Sequence, residues 1–366
     1  MYLALYRKFR PKTFDEVIGQ DHITSTLVNQ VKTGQIGHAY LFTGSRGTGK
    51  TSCAKIFAKA INCLNPQNGS PCGECEVCNA LNEASNVDVL EIDAASNNGV
   101  NEIRELREKI KYPPIHGKYK VYIIDEVHML TDSAFNALLK TLEEPPAHAV
   151  FILATTEVYK LPATILSRCM RFDFRLVSTE LLVQQVKKIF DDIQVNYDDQ
   201  SVEAIALAGE GSVRDTLSVA DCVVAFSGKN VEYAKTMQIL GQSDKGVVNN
   251  LIKHIIEGNI GEVLSTINNI YTSGKNLIAL GKEITVAFKN LLVIKNCLDS
   301  KKMLAVSDNE FAFLKTLADQ VDTSKLILFM QKFSGVEAEL KYAMSPKTLI
   351  ELTALECATF DPLKKN

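Results

Sequence analysis

The sequence predicts an α/β module built on a parallel sheet, followed by a small helical domain and then an all-helical C-terminal domain. Three observations carry that prediction. Short apolar runs alternate with helix-patterned stretches from about residue 38 to 175, a Gly-rich phosphate-loop pattern joins the first run to the first helix, and strand signals stop from about residue 179. Strands separated by helices imply βαβ units and a sheet covered on both faces. At 366 residues the chain also exceeds one ordinary core, so two or three domains are expected.

The first strand is Ala39–Phe42. It runs into Gly44-Ser45-Arg46-Gly47-Thr48-Gly49-Lys50-Thr51, a complete G-x-x-x-x-G-K-[ST] phosphate loop (P-loop). Without a strand before it and a helix after it, this would be only a Gly-rich turn. Gly44, Gly47 and Gly49 let the backbone curl and turn successive N–H groups toward a phosphate. The helical pattern that follows, near 51–62, adds the positive end of its dipole. Lys50 is placed to reach β- and γ-phosphates, and the Thr51 hydroxyl, with Ser52 beside it, to ligate a metal ion.

Four cysteines come next, as Cys63-x8-Cys72-x2-Cys75-x2-Cys78, with Gly69, Pro71 and Gly73 supplying turns. Thiolates so spaced can close a tetrahedral zinc site that leaves no position for water, hence a structural knuckle inserted in the module. A redox pair or an iron–sulfur site stays open as an alternative. Cys53, Cys169, Cys222, Cys297 and Cys357 are scattered and read as ordinary thiols.

The remaining predicted strands are Val87–Ile92, Val121–Ile124, Val150–Ala154 and Met170–Phe174, with helical stretches near 100–111, 132–143 and 163–168. The strand Val121–Ile124 ends in Asp125 and Glu126. Carboxylates at a strand's C-terminal end face the crevice where α/β sheets bind ligands. Asp125 is expected to hold Mg²⁺ together with Thr51, and Glu126 to polarise a water in line with the γ-phosphate. The plain alternative is a solvated acidic turn. Thr155 and Thr156 follow Val150–Ala154, where a hydroxyl could orient that water if the strands are neighbours. Arg168 in Ser167-Arg168-Cys169 and Arg214 in Gly211-Ser212-Val213-Arg214-Asp215 are cationic candidates for the nucleotide, although by spacing alone each reads first as a surface ion-pair residue.

Residues 179–240 read as short helices broken at Gly209, Gly211 and Gly228, and the chain stays helical beyond Gly241. Leu251, Ile255, Val263, Ile267 and Ile270 form one apolar series. Leu326, Phe329, Phe333, Val336 and Leu340 form another, read as a buried bundle face with a partner-helix seam as the alternative. Segments near 176–180 and 240–246 are the linker candidates.

A hydrophobic content of 46% with 23% charged residues describes a globular chain. The net charge of −3 means that nucleic-acid contact needs a local basic patch. No apolar stretch approaches the length of a membrane span, and Arg7, Lys8 and Arg10 precede no apolar signal core. A cytoplasmic location is expected, and its reducing conditions favour metal or free-thiol roles for the cysteines.

Together these residues resemble the clamp-loader type of AAA+ ATPase. The resemblance is carried by Tyr6-Arg7-Lys8-Phe9-Arg10-Pro11, Phe14-Asp15-Glu16-Val17-Ile18-Gly19-Gln20, the phosphate loop, the cysteine insert, Glu91-Ile92-Asp93-Ala94-Ala95-Ser96 and Asp125-Glu126-Val127-His128. Further marks are Leu138-Leu139-Lys140-Thr141-Leu142-Glu143-Glu144-Pro145-Pro146, Ser167-Arg168-Cys169 and Gly211 to Asp215. It covers about residues 1–225. It implies a nucleotide-binding domain at 1–178 with a four-cysteine zinc insert at about 63–78, a helical lid at 179–241 and an oligomeric helical collar at 242–366. It implies ATP and Mg²⁺ at Lys50, Thr51, Asp125 and Glu126, Thr155 as sensor one with Thr156 next, Arg214 as sensor two, and Arg168 completing a neighbour's site. Arg10 and Val17 would line the adenine pocket. The implied activity is ATP-driven loading of a sliding clamp onto primer–template DNA. The implied partners are delta, delta-prime and further copies of the same kind, the clamp, and DNA bound without sequence specificity; a membrane is not among them. Ser96 to Asn98 and Lys140 are the DNA-contact candidates. The competing functions are another AAA+ DNA motor of the branch-migration type, or a nucleotide-bound assembly scaffold with little hydrolysis.

Overall fold

The computed structural model describes residues 3–83, 86–240, 245–304, 308–340 and 342–360. The chain divides into two compact units, Met1–Tyr233 and Ala234–Asn366. The second linker candidate and the expected boundary at 241/242 reach residues outside the described ones.

In the first unit five strands, β1 (Ala39–Gly44), β2 (Val89–Asp93), β3 (Lys120–Asp125), β4 (Ala149–Thr155) and β5 (Met170–Phe174), form one sheet in the order β2-β3-β4-β1-β5. Every pairing is parallel. The helices of this unit are α1 (Leu5–Lys8), α2 (Asp21–Thr33), α3 (Lys50–Ala60), α4 (Glu76–Ala80), α5 (Val100–Ile110), α6 (Asp132–Glu143), α7 (Ala163–Leu166), α8 (Thr179–Asp192), α9 (Asp199–Ala208) and α10 (Val213–Ser227). Alternate strand residues enter different cores, as the two-residue period requires. Tyr40, Phe42, Val121, Ile123 and Ile152 pack with Ile23 and Leu27 of α2 and Phe57 of α3. Leu41, Tyr122, Ile124, Phe151 and Leu153 pack with Ile103 of α5, Leu138 of α6 and Ile165 of α7. Both faces are therefore dry, which is why the strands read as nearly continuous apolar runs.

Three sequence expectations need correction. Strand signals do not end at 179: β6 (Asn196–Tyr197) and β7 (Asn230–Val231) pair in parallel among α8–α10. Two residues are too few to show a period, so long-range pairing alone creates them. The strand expected from Val87 begins at Val89, because Asp88 turns fully inward and its carboxylate accepts the backbone N–H groups of Ile115, His116 and Gly117 at 2.7, 2.7 and 3.0 Å. The helix expected over 163–168 ends at Leu166, leaving Ser167 and Arg168 beyond it.

Past α11 (Tyr233–Leu240) the second unit is helical: α12 (Lys245–Glu257), α13 (Ile260–Thr272), α14 (Leu277–Asn296), α15 (Ser300–Met303), α16 (Asp308–Asp319), α17 (Thr323–Leu340) and α18 (Pro346–Ala358). Both apolar series noted in the sequence lie in its core. Phe288 of α14 meets Phe329 and Phe333 of α17 at ring-centre distances of 5.5 and 5.8 Å, so that stripe is a bundle face. Among the described residues no helix is long and apolar enough to cross a membrane.

Candidate functional site

The phosphate loop leaves the C-terminal end of β1, where the sheet order places neighbours reached by chain crossovers on either side, the position at which open α/β sheets bind ligands. The loop's path depends on glycine at two points. Gly44 has φ 142°, and a Cβ there would stand 2.3 Å from the Phe174 carbonyl oxygen on β5. Gly47 has φ 75°, and a Cβ would stand 2.0 Å from Ser212 Oγ. Ser212 caps α10, accepting from Asp215 N at 3.2 Å, and Arg214 N donates to Gly47 O at 3.4 Å. The start of α10 therefore rests directly on the phosphate loop.

A cavity of about 880 Å³ opens there. Of the residues expected from sequence, Arg10, Val17, Arg46, Gly47, Thr48, Gly49, Lys50, Thr51, Ser52, Asp125, Glu126 and Arg214 line it. Gly44 and Ser45 sit behind it, and their carbonyls each accept a hydrogen bond from Lys50 Nζ at 2.8 Å. Burial pulls the Lys50 ammonium below its ordinary value, against the opposing pull of the Glu126 and Asp125 carboxylates. Arg10 Nε donates to Ser52 Oγ at 3.0 Å, which ties the N-terminal segment to α3. The Arg214 guanidinium lies over the Tyr6 ring, 5.2 Å from its centre.

Thr51 Oγ1 donates to Asp125 Oδ2 at 2.7 Å. Two oxygens that close match neighbouring corners of an octahedral Mg²⁺ shell, whose edges are about 3 Å for bonds of 2.0–2.1 Å. Glu126 is one of four described non-glycine residues with positive φ, at φ 48° and ψ 44°. Its Oε2 accepts from Thr156 Oγ1 at 3.2 Å. β4 lies directly beside β3, as the sensor expectation required. Thr155 is fully buried; its Oγ1 accepts Glu157 N at 3.0 Å and meets His128 Nδ1 at 3.0 Å. The chain thus brings Thr156, and not Thr155, onto Glu126.

Arg168 is not among the cavity residues. It donates to Glu143 Oε1 and to Thr164 O, both at 2.8 Å, with a third of its side chain exposed. Ser96, Asn97, Asn98 and Lys140 are exposed; Ser96 Oγ is bonded to Asp93 Oδ2 at 2.8 Å. Sequence reading passed over Tyr6, Gln185, Leu217 and His128. Three of these line the cavity. His128 instead stands between Glu126 and Glu157. His128 stood in the quoted motif, but only strand order reveals its neighbours.

Cys63, Cys72, Cys75 and Cys78 place their sulfurs within 4.8 Å of one another. The Cys63–Cys72 and Cys72–Cys78 sulfurs are 3.4 and 3.9 Å apart, close to the ~3.8 Å edge of a tetrahedron with Zn–S bonds of 2.3 Å. Cys63, Cys72 and Cys75 sulfurs accept backbone N–H groups at 3.3–3.4 Å, a pattern that suits thiolates. Burial raises Cys75, yet hydrogen bonding from the backbone of Cys78 and Leu64, with that from the Cys78 and Cys72 thiols, together outweighs it and brings the thiol down to about 6. By contrast Cys53, wholly buried and apolar in surroundings, is pushed up to about 12. Cys222 is exposed and Cys357 buried.

Three family models match in succession. They are "DNA polymerase III, delta subunit" over residues 19–178, "DNA polymerase III clamp loader subunit, ATPase lid domain" over 181–229 and "DNA polymerase III subunits gamma and tau domain III" over 231–365. The chain is 43% identical to DNA polymerase III subunit tau of Bacillus subtilis over 359 residues, 98% of this chain and 64% of that protein. It is 37% identical to the Escherichia coli tau subunit over 365 residues, 99% of this chain and 56% of that protein. The chain thus spans less than two thirds of these relatives' length. The RuvB Holliday junction branch migration motor of Thermotoga maritima superposes with a TM-score of 0.50 at 20% identity, covering 68% of this chain and 80% of that one, a likeness of fold alone. With the three segments matched in order and the tau subunits aligned over almost all of this chain, the chain belongs to the DNA polymerase III gamma/tau family of clamp-loader subunits.

Proposed function

We propose that this chain is an ATP-hydrolysing subunit of a clamp loader, acting with delta, delta-prime and further copies of itself to open a sliding clamp and place it on primed DNA. The observation that carries the reading is the joint placement of Lys50, Thr51, Asp125, Glu126 and Arg214 around one cavity. In this reading, Lys50 and the loop amides bind the ATP phosphates. Thr51 and Asp125 hold Mg²⁺, which supplies charge neutralisation along the phosphates when bound. Glu126 polarises the attacking water. Thr156 orients Glu126, while Thr155 secures the turn behind it. Arg214, resting on the loop, makes closure of α8–α10 depend on the nucleotide. Arg10 and Val17 receive the adenine, and Arg168 leaves Glu143 to complete a neighbouring subunit's site. The working divisions are 1–178, 179–241 and 242–366, with the last as the oligomeric collar. DNA is held through phosphates, at Ser96 to Asn98 and Lys140, with strong salt dependence and little sequence preference. The complex works in the cytoplasm.

Retention of the clamp on circular primed DNA tests this directly. An assembly containing the chain should load the clamp only with ATP, and loading that persists without the chain or without nucleotide contradicts the reading.

The cysteine cluster is proposed to hold one structural Zn²⁺. Cys72→Ser is expected to abolish stoichiometric zinc and to lower the thermal midpoint of the module by several degrees, since three thiolates cannot close the site. Metal analysis together with a melting curve checks this. Iron in the purified protein, or a disulfide between two of the four sulfurs with no metal, would contradict it.

A further inference from the structure

We propose that His128 is a positioning residue for the Glu126 carboxylate, locking it to the end of β4; the inference rests on the proposed role of Glu126. His128 lies in the turn Val127–Met129 after β3, and its side chain is only 7% exposed. Nδ1 stands 3.0 Å from Thr155 Oγ1 and 3.4 Å from Glu126 Oε2, while Nε2 stands 3.1 Å from Glu157 Oε2. The ring thus touches the cavity carboxylate on one side and the loop after β4 on the other.

Both ends of this bridge are themselves held. Thr155 Oγ1 accepts the N–H of Glu157 and keeps a second lone pair, so a proton on Nδ1 can be shared between Thr155 Oγ1 and Glu126 Oε2. A doubly protonated ring donates from both nitrogens. That form ties Glu126 to Glu157 and holds the imidazole in one orientation. Glu157 is anchored by Lys160 Nζ at 2.7 Å and by the Tyr159 hydroxyl at 2.5 Å.

Glu126 needs such support. Its left-handed backbone, at φ 48°, starts the side chain away from the strand direction, and a glutamate on the wall of an open cavity has three torsions to settle. Thr156 fixes one of its oxygens by one hydrogen bond, and the rigid imidazole closes the other side of that oxygen. Misplacement of a reacting group by about 1 Å can cost roughly 10²-fold in rate, so the rate, and not the binding of nucleotide, should register the loss of His128.

The test measures steady-state ATPase and nucleotide affinity in the assembled loader with clamp and primed DNA. H128A should lower kcat by about tenfold or more, with KM and nucleotide affinity within about twofold of wild type. H128N restores an amide near the Nδ1 position and H128Q near Nε2, whereas H128F only fills the space. Recovery of kcat by H128N or H128Q but not by H128F supports the proposal, and this comparison also decides the matter if H128A proves unstable on melting. Recovery by H128F, equal loss in all four variants, or an unchanged kcat in H128A overturns it. E126Q in the same assay separates the two levels. If E126Q hydrolyses at the wild-type rate, the reading of Glu126 falls and this one with it. If E126Q is inactive and every His128 variant is normal, only the role of His128 falls.

Discussion

Arg168→Ala is expected to cut the DNA- and clamp-stimulated ATPase of the assembled loader by up to ~10³–10⁵, the range that an arginine finger commands, while leaving the isolated chain's slow hydrolysis unchanged. The contrast follows from where the residue sits. Arg168 lies outside the cavity of its own chain and is held at the surface by Glu143 and the Thr164 carbonyl. An exposed ion pair of that kind is worth about 0–1 kcal/mol, so the variant should fold and melt as wild type does. A finger acting within its own chain would slow the isolated chain equally. An Arg168→Ala assembly that retains full stimulated hydrolysis removes this residue from the chemistry.

Glu126→Gln is expected to lower hydrolysis by roughly 10²–10⁴ while nucleotide still binds, because the amide keeps the shape and an acceptor for Thr156 but loses the basic carboxylate. The left-handed backbone at this position is unaffected by the exchange. Nucleotide titration and single-turnover hydrolysis on the same sample separate the two effects. Retained clamp loading over many cycles by the variant would favour a nucleotide-bound scaffold over a hydrolysing subunit.

The sheet was legible because its strands are short, apolar and separated by amphipathic helices, and because glycines, lysine and carboxylates fall at its C-terminal edge. Ala39 to Phe42, Val121 to Ile124 and Val150 to Ala154 all lie inside observed strands. The cysteine cluster was equally readable, since three of its four members are three residues apart and the fourth needs only one turn of chain to join them. α2 was passed over although Ile23 and Leu27 stand one helical turn apart and both are buried. What stayed out of reach depended on neighbours far apart in sequence. Glu143 holds Arg168 across 25 positions, and Ser212 meets Gly47 from a far more distant part of the chain. His128 gains its meaning from the adjacency of β3 and β4, which no local pattern encodes. The choice between Thr155 and Thr156 turned on how the chain leaves β4: Thr155, its buried last residue, turns toward His128, and Thr156, just beyond the strand, turns toward Glu126.

The central claim is that hydrolysis here is completed by partners, and steady-state ATPase tests it most directly. The chain is measured alone, then with the other loader subunits, then with sliding clamp and primed DNA. The account predicts a low basal rate that rises sharply only with the full set. A high rate from the isolated chain, or one indifferent to clamp and DNA, would contradict it.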